Sequence, residues 1–282
     1  MTKTYAVIGD PIAHSLSPLI HNTLYARYRL DCRYIPLQVK QQDVPEFFAS
    51  TLGSRIAGCN VTMPNKAAVI PHLLDIHEDA ALCRSVNTIA ADGLKGWSTD
   101  APGLRRAVEQ AGFSYKGSTL LLYGAGGAAS SIALDFARQG GAALYVCNRT
   151  AEKAHALVGF VRENSAIPMA GAICDADLPT VLPGCDLFFN TTPLGMSHTG
   201  LEFASLDFLG SLPPHALVCD LIYNPFETKL LARAKALGLA TLNGLPMLIH
   251  QAFLSFEKWF GILPDEADYA AIWQALTSAL GV

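Results

Sequence analysis

One short turn narrows the possible folds of this 282-residue chain more than anything else in it. The apolar run Leu120, Leu121, Leu122 passes into Gly124-Ala125-Gly126-Gly127-Ala128-Ala129. The spacing Gly124, Gly126, Ala129 fits G-x-G-x-x-G/A, a strand handing over to a helix through a turn with no room for side chains. Gly124 permits the tight turn, Gly126 lets a pyrophosphate approach the backbone, and Ala129 lets helix and strand pack closely. The free N–H groups of the helix start then favour a phosphate. A glycine turn by itself also serves plain strand-to-helix connections. The strand before it and the helix after it favour a dinucleotide.

The next strand bears on which dinucleotide. Residues 142–147 read as strand and end in Asn148-Arg149-Thr150, with Lys153 one turn later. An NAD site usually carries a carboxylate here for the ribose 2′-hydroxyl. None is present, and Arg149 and Lys153 offer cations for a 2′-phosphate instead. The alternative is a helix start capped by Thr150 with both cations merely solvated. NADP is the expected cofactor.

Around this unit the chain alternates short apolar strands (4–9, 55–61, 118–123, 142–147, 186–190, 216–220) with longer helices (17–30, 64–73, 101–112, 126–139, 151–162, 226–237 and the tail). In the first helix Ser17 is the expected N-cap and Pro18 the first helical position. In the tail Tyr269, Ile272, Leu276 and Leu280 recur on one helical face. The pattern predicts an α/β protein of two domains: a mixed, mostly parallel α/β substrate domain, and a Rossmann-like doubly wound NADP-binding domain. Breaks at Pro102-Gly103 and near 241–244 divide it into 1–102, an inserted 103–241, and helices of 242–282 that return to the first domain.

Composition removes several alternatives. Hydrophobic residues make up 51% and charged ones 16%, which excludes a disordered chain. The net charge is −4 with no basic run, so no nucleic-acid partner is expected. Mean hydropathy is +0.28, yet the uncharged stretch 117–134 is interrupted by glycines and serines, so no membrane span is expected. Residues 5–9 are too short for a signal-peptide core. Seven scattered cysteines without a CxxC suggest thiols in a reducing cytoplasm rather than disulfides or a metal site.

A second constellation lies near the start. Gly9-Asp-Pro-Ile-Ala-His-Ser15-Leu-Ser17-Pro18 follows the first strand, and Asn60-Val-Thr62-Met-Pro-Asn-Lys66 follows the strand at 55–61. Asn60 and Thr62 share one face of an extended segment, and Lys66 is expected on the helix beyond. Val86-Asn87-Thr88 and Ser98-Thr99-Asp100 add an amide and a carboxylate. Two serines at a helix start suit a small anion, and a lysine with a carboxylate suits proton transfer. Each feature alone also has a plain reading: a capped turn, or a solvated lysine.

Taken with NTTPLGM (190–196), DLIYNP-x-x-T (220–228) and NGLPMLIHQA (243–252), these stretches resemble the shikimate dehydrogenase family from residue 5 to beyond 260. The resemblance implies NADP-dependent, reversible reduction of 3-dehydroshikimate to shikimate by hydride transfer at C3. It implies Lys66 and Asp100 as the catalytic pair, with Ser15 and Ser17 on the substrate carboxylate and Tyr223 close to it. Asn60, Thr62, Asn87 and Gln251 would bond ring hydroxyls. Gly124, Ala125, Gly126, Gly127, Ala128, Asn148, Arg149, Thr150 and Lys153 would hold NADP, with Leu221 and Gly244 as backbone contacts near the nicotinamide. Thr191 and Thr192 are read as the cofactor's edge or as loop packing. His14, His21 and His250 are read as structural. The partner is a small molecule, and the assembly a monomer or homodimer. Ser98 stands where the family usually has Asn, which leaves open a quinate or aminoshikimate dehydrogenase paralogue, and more remotely a non-catalytic NADP- and shikimate-binding protein.

Overall fold

A computed structural model describes residues 2–197 and 199–282. The chain divides into two compact units, Met1–Gly103 with Leu248–Val282, and Leu104–Met247. Each is an α/β sandwich around its own six-stranded sheet.

The first unit's sheet has the order β2-β1-β3-β5-β6-β4, with strands β1 (Lys3–Gly9), β2 (Cys32–Gln38), β3 (Gly58–Val61), β4 (Asp75–Ile76), β5 (Thr88–Ala90) and β6 (Lys95–Trp97). β1 pairs in parallel with β2 and β3, whereas β5 runs antiparallel to β3 and β6. The sheet is therefore mixed. Pro36 falls within β2, a place for proline only because β2 is an edge strand whose outer N–H groups need no partner. The core under this sheet gathers Ile8, Val44, Phe47, Val61, Val86 and Ile89. Helix α1 (Ser17–Arg27) is shorter than the expected 17–30. It is tied to the last helix, α7 (Glu266–Leu280), by Arg27 Nε and the Tyr28 hydroxyl, each 2.6 Å from Asp268.

The second unit's sheet is wholly parallel, in the order β12-β11-β10-β7-β8-β9. Its strands are β7 (Thr119–Tyr123), β8 (Ala143–Cys147), β9 (Met169–Ile173), β10 (Leu187–Asn190), β11 (Leu217–Asp220) and β12 (Ala240–Leu242). Counted from β7, this is the 3-2-1-4-5-6 order of a dinucleotide-binding sheet, with the reversal of order between β7 and β10. Strands buried on both faces read as continuous apolar runs, as in Leu187-Phe188-Phe189. The helices α3 (Gly127–Arg138), α4 (Ala151–Asn164) and α5 (Lys229–Ala236) follow their strands. α5 begins three residues later than the expected 226 because the Thr228 hydroxyl accepts from Leu231 N and caps it.

Two helices carry the chain across the unit boundaries: α2 (Asp100–Gln110) and α6 (Gly244–Phe260). No helix among the described residues is long and apolar enough to cross a membrane. All seven cysteines are thiols.

Candidate active site

In the first unit the loops after β1 and β3 are laced together: Asp10 N donates to Met63 O at 3.1 Å, and Thr62 N to Ile8 O at 2.9 Å. This sets the Ser15–Ser17 turn and the Thr62–Lys66 segment beside the carboxyl ends of two adjacent strands, where open α/β sheets bind ligands. Ser17 is not the helix cap that the sequence suggests. Leu16 holds the N-cap position, and Ser15 Oγ accepts from Ser17 N at 3.3 Å. The hydroxyl that meets the helix start comes from the residue before the N-cap, and Ser17 is the first helical residue.

Residues 64–73 do not form the expected helix. The chain passes through successive turns to a short 3-10 turn at Ile70–His72. Pro71 has no N–H for a helical bond to residue 67, and the buried Asn65 sends its Nδ2 to Val39 O at 2.7 Å. Lys66 is thus held by its backbone, its carbonyl accepting from Val86 N at 3.1 Å. Its Nζ donates to Asp100 Oδ2 at 2.5 Å, with the two side chains 24% and 11% exposed. Asp100 opens helix α2.

Asn87 fixes the other carboxylate oxygen. Its Nδ2 donates to Asp100 Oδ1 at 2.8 Å and to Thr99 Oγ1 at 2.9 Å, and its Oδ1 accepts from Thr99 N at 2.8 Å. A ligand contact at Asn87 requires one of these bonds to be exchanged. Asn60 departs further from expectation. Its Oδ1 accepts from the Tyr34 hydroxyl at 2.7 Å, while its Nδ2 faces Asn87 O, Thr88 Oγ1 and Ser255 Oγ at 3.0, 3.1 and 2.9 Å. Both amide hydrogens are spent inside the protein, so Asn60 braces the site rather than presenting a donor to a ring hydroxyl. Gln251, on α6, is mostly buried and donates to Leu248 O at 2.7 Å. A Cβ added to Gly103 would lie 2.8 Å from Gln251 N, so α2 and α6 meet here in a contact only glycine permits. The Ser98 hydroxyl is buried without a hydrogen-bond partner among the described residues.

His21 is fully buried and stacked on Tyr34, with ring centroids 4.3 Å apart. Burial pulls its pKa down to about 3. His250 stacks on Tyr269 at 5.2 Å. His14 is exposed.

In the second unit the glycine turn follows β7 at the reversal of strand order. Gly124 has φ +111, and a Cβ there would sit 2.5 Å from Thr191 Oγ1, so both its conformation and its neighbours demand glycine. In front of Gly126 and Gly127 an added Cβ would meet no atom within 4 Å. The N-terminus of α3 has no side-chain cap. An open backbone cradle with uncapped amides fits the pyrophosphate of a dinucleotide. Asn148 links this turn to β8, accepting from Ala125 N at 3.2 Å and donating to Thr150 O at 2.9 Å. Arg149, Thr150 and Lys153 are exposed, and among the described residues neither cation is in an ion pair. Thr150 stands at the N-cap of α4, without a side-chain capping bond. The hydroxyls of Thr191 and Thr192 bond to Tyr123 O and Asn190 Oδ1, which is loop packing.

Leu221 and Tyr223 lie in a loop organised by Asp220, which the sequence did not single out, and Gly244 opens α6 against that loop. Asp220 accepts from Asn190 Nδ2 at 3.0 Å, Ile222 N at 3.2 Å and the Thr228 hydroxyl at 2.7 Å. Burial raises its pKa to about 6 while these three donors pull it down. Gly244 N donates to Ile222 O at 3.0 Å, against the Leu221 backbone. Burial also raises the Tyr223 phenol.

The model of the "Shikimate dehydrogenase substrate binding domain" matches residues 7–89, and that of the "Shikimate 5'-dehydrogenase C-terminal domain" matches residues 244–277. The shikimate dehydrogenase (NADP(+)) of Geobacillus kaustophilus is 41% identical over 270 residues, covering 94% of this chain and 95% of its own. Among solved structures, shikimate 5-dehydrogenase from Listeria monocytogenes, in complex with shikimate and NAD, superposes with a TM-score of 0.88 at 31% identity, covering 98% and 96% of the two chains. Quinate dehydrogenase from Corynebacterium glutamicum, in complex with NAD, gives 0.84 at 27% identity, with 98% and 99% covered.

Proposed function

Because this chain belongs to the shikimate dehydrogenase family, we propose that it catalyses the NADP-dependent reduction of 3-dehydroshikimate to shikimate, and its reverse. The observation that carries the reading is the Lys66–Asp100 pair, with a 2.5 Å bond between its charged ends and Asn87 on the second carboxylate oxygen.

Bound NADPH supplies the hydride that converts the C3 carbonyl to an alkoxide. The chain's own residues must then handle one proton and one anion. Lys66, as ammonium, donates the proton to the C3 oxygen, and as amine takes it back in the oxidation. Proton transfer by a positioned group is worth roughly 10²–10⁴-fold in rate. Asp100 accepts from the C3 hydroxyl and holds the lysine in line. Ser15 and Ser17 receive the ring carboxylate, with Tyr223 as the further candidate contact. Thr62, Asn87 and Gln251 take the remaining hydroxyls, Asn87 by exchanging one of its internal bonds. For the cofactor, Gly124–Ala128 hold the pyrophosphate, Asn148 and Thr150 shape the ribose loop, Arg149 and Lys153 bind the 2′-phosphate, and the Leu221 and Gly244 backbones flank the nicotinamide.

The likeness to a quinate dehydrogenase favours one alternative. Quinate carries a further hydroxyl on C1 beside its carboxylate, the group that Ser15 and Ser17 are proposed to receive. Steady-state reduction of NADP+ and NAD+ with shikimate and with quinate decides the matter. We expect the highest kcat/KM for shikimate with NADP+. No turnover of shikimate at saturation overturns the reading, and a higher kcat/KM for quinate replaces it with the alternative. Seven thiols without a disulfide support a reducing, cytoplasmic setting. Monomer or homodimer is the accompanying proposal, read by sedimentation.

A further inference from the structure

Ser255, on helix α6, lies one helical turn beyond Gln251 and is fully buried. Serine inside so apolar a stretch (Phe253-Leu254-Ser255-Phe256) demands a reason, because a buried hydroxyl must find partners. Ser255 finds four. It donates to Gln251 O at 2.9 Å and accepts from Asn60 Nδ2 at 2.9 Å, and its oxygen lies 2.8 Å from Thr88 Oγ1 and 3.3 Å from Thr99 Oγ1.

Counting hydrogens limits the directions these bonds can take. The single Ser255 hydrogen goes to the Gln251 carbonyl, which can only accept. Ser255 Oγ is therefore an acceptor for the strands: for Asn60 on β3, and for the hydroxyl of Thr88 on β5 or of Thr99. The same two threonines border the Asn87 amide. Thr88 Oγ1 lies 3.0 Å from Asn87 Oδ1, its single hydrogen going either there or to Ser255 Oγ, and Thr99 Oγ1 accepts from Asn87 Nδ2 at 2.9 Å. Asn87 in turn reaches Asp100 Oδ1. The Trp259 indole, one further turn along α6, donates to Ile89 O at 3.0 Å and keeps the helix seated on β5. A continuous set of hydrogen bonds thus runs from α6 through Ser255, the paired threonines and Asn87 to the carboxylate that holds Lys66.

We infer that Ser255 is a positioning residue, whose hydroxyl sets the orientation of the Asn87 amide and through it the placement of Asp100 against Lys66. Without Ser255 Oγ, Asn60 Nδ2 is left with Asn87 O and Thr88 Oγ1 alone, and one threonine hydroxyl loses its acceptor in a dry interior. They then compete for Asn87 Oδ1 and Asn87 O, and the amide that aligns Asp100 rotates or shifts. Misalignment of a reacting group by about 1 Å costs on the order of 10²-fold in rate.

The inference rests on the proposed reaction, so its test has one arm that needs turnover and one that does not. Full-length Ser255→Ala is expected to lose about 10- to 100-fold in kcat for shikimate, with KM for NADP+ unchanged. Ser255→Thr, which restores the hydroxyl, is expected to recover most of the loss. In an Asn87→Ala background the Ser255→Ala change is expected to cost little, because the intermediary is already gone. Wild-type kcat in folded Ser255→Ala, or an undiminished loss in the Asn87→Ala background, overturns the inference. Should Ser255→Ala not fold, Thr88→Val removes the adjoining hydroxyl and is read the same way. The second arm is a crystal structure of Ser255→Ala, or of Thr88→Val. An Asn87 amide turned away from Asp100 supports the inference, and an unchanged 2.8 Å contact overturns it, even if the wild type turns over neither shikimate nor quinate.

Discussion

At the scale of single residues, two substitutions separate the chemistry from the cofactor. Lys66→Ala is expected to lower kcat by roughly 10²–10⁴-fold while leaving the dissociation constant for NADP+ unchanged. Rapid-mixing absorbance for turnover and fluorescence titration for binding read the two quantities apart, and an unaltered kcat removes Lys66 from the mechanism. Arg149→Ala is expected to cost about 1.5–3 kcal/mol of preference for NADP over NAD, the scale of a hydrogen bond to a charged group. The ratio of kcat/KM values for the two cofactors measures it, and a constant ratio moves the 2′-phosphate to other residues. Both residues could be singled out in the sequence because the pattern that marks them is local: a cation at a stated distance from a glycine turn or a proline. The internal bonds of Asn60 and the parts played by Ser255 and Asp220 were not legible because they depend on partners far off in sequence. Asn60 meets Ser255 across 195 positions, and Asp220 meets Asn190 across 30. Spacing cannot distinguish an amide that faces a ligand from one whose hydrogens are already taken.

At the scale of elements, four of the second sheet's six strands could be read from the sequence, and the two edge strands, β9 and β12, could not. The central strands β7, β10 and β11 are parallel and buried on both faces, so they appear as apolar runs with clear ends. The first sheet hid more. β2 contains a proline, and β4, β5 and β6 are only two or three residues long. The 64–73 segment keeps helical spacing of its apolar residues but is pinned by Asn65 and stopped by Pro71. The crossing of α2 and α6 at Gly103 supplies a direct test. Gly103→Ala gains about 1 kcal/mol of helix propensity. It also forces a methyl within 2.8–3.0 Å of Gln251 N, Cβ and Cα. Overpacking of this kind typically costs about 1–3 kcal/mol, and most of the opposing atoms are backbone or next to it, so the steric effect wins. A lower melting temperature and a raised KM for shikimate are expected. A more stable variant with wild-type KM would show that α6 can give way.

At the scale of the whole molecule, two buried groups set opposing responses to acid. His21 is held down at about 3 by burial, against 6.5 for the free side chain. Its unfolded form takes the proton first, so stability falls as pH drops from 6.5 toward 3. Asp220 is raised by burial from 3.8 to about 6. Its folded form takes the proton first, so stability rises as pH drops from 6 toward 3.8. Near pH 5 each group contributes a slope approaching one proton, about 1.4 kcal/mol per pH unit, and the two nearly cancel. His21→Phe, which keeps the stacking on Tyr34, is expected to flatten or reverse the acid-side loss of stability between pH 6 and 4. Asp220→Asn is expected to steepen it. Urea midpoints across this range read both, and parallel curves for wild type and either variant would contradict the assignment for that residue.

The first unit is assembled from both sides of the insertion, residues up to Gly103 and those from Leu248 onward. During synthesis the chain emerges in order, and domains tend to fold as units when complete. The 104–247 segment can therefore close its sheet while the earlier strands still wait for α6 and α7. Lys66 and Asp100 are translated early, but Gln251 and Ser255 reach them only after the neighbouring unit has left the ribosome. A nascent chain with residues up to 247 clear of the ribosome would hold a complete second unit beside a first unit still lacking α7 and most of α6, so the fold around the glycine turn precedes the full packing around Lys66 and Asp100.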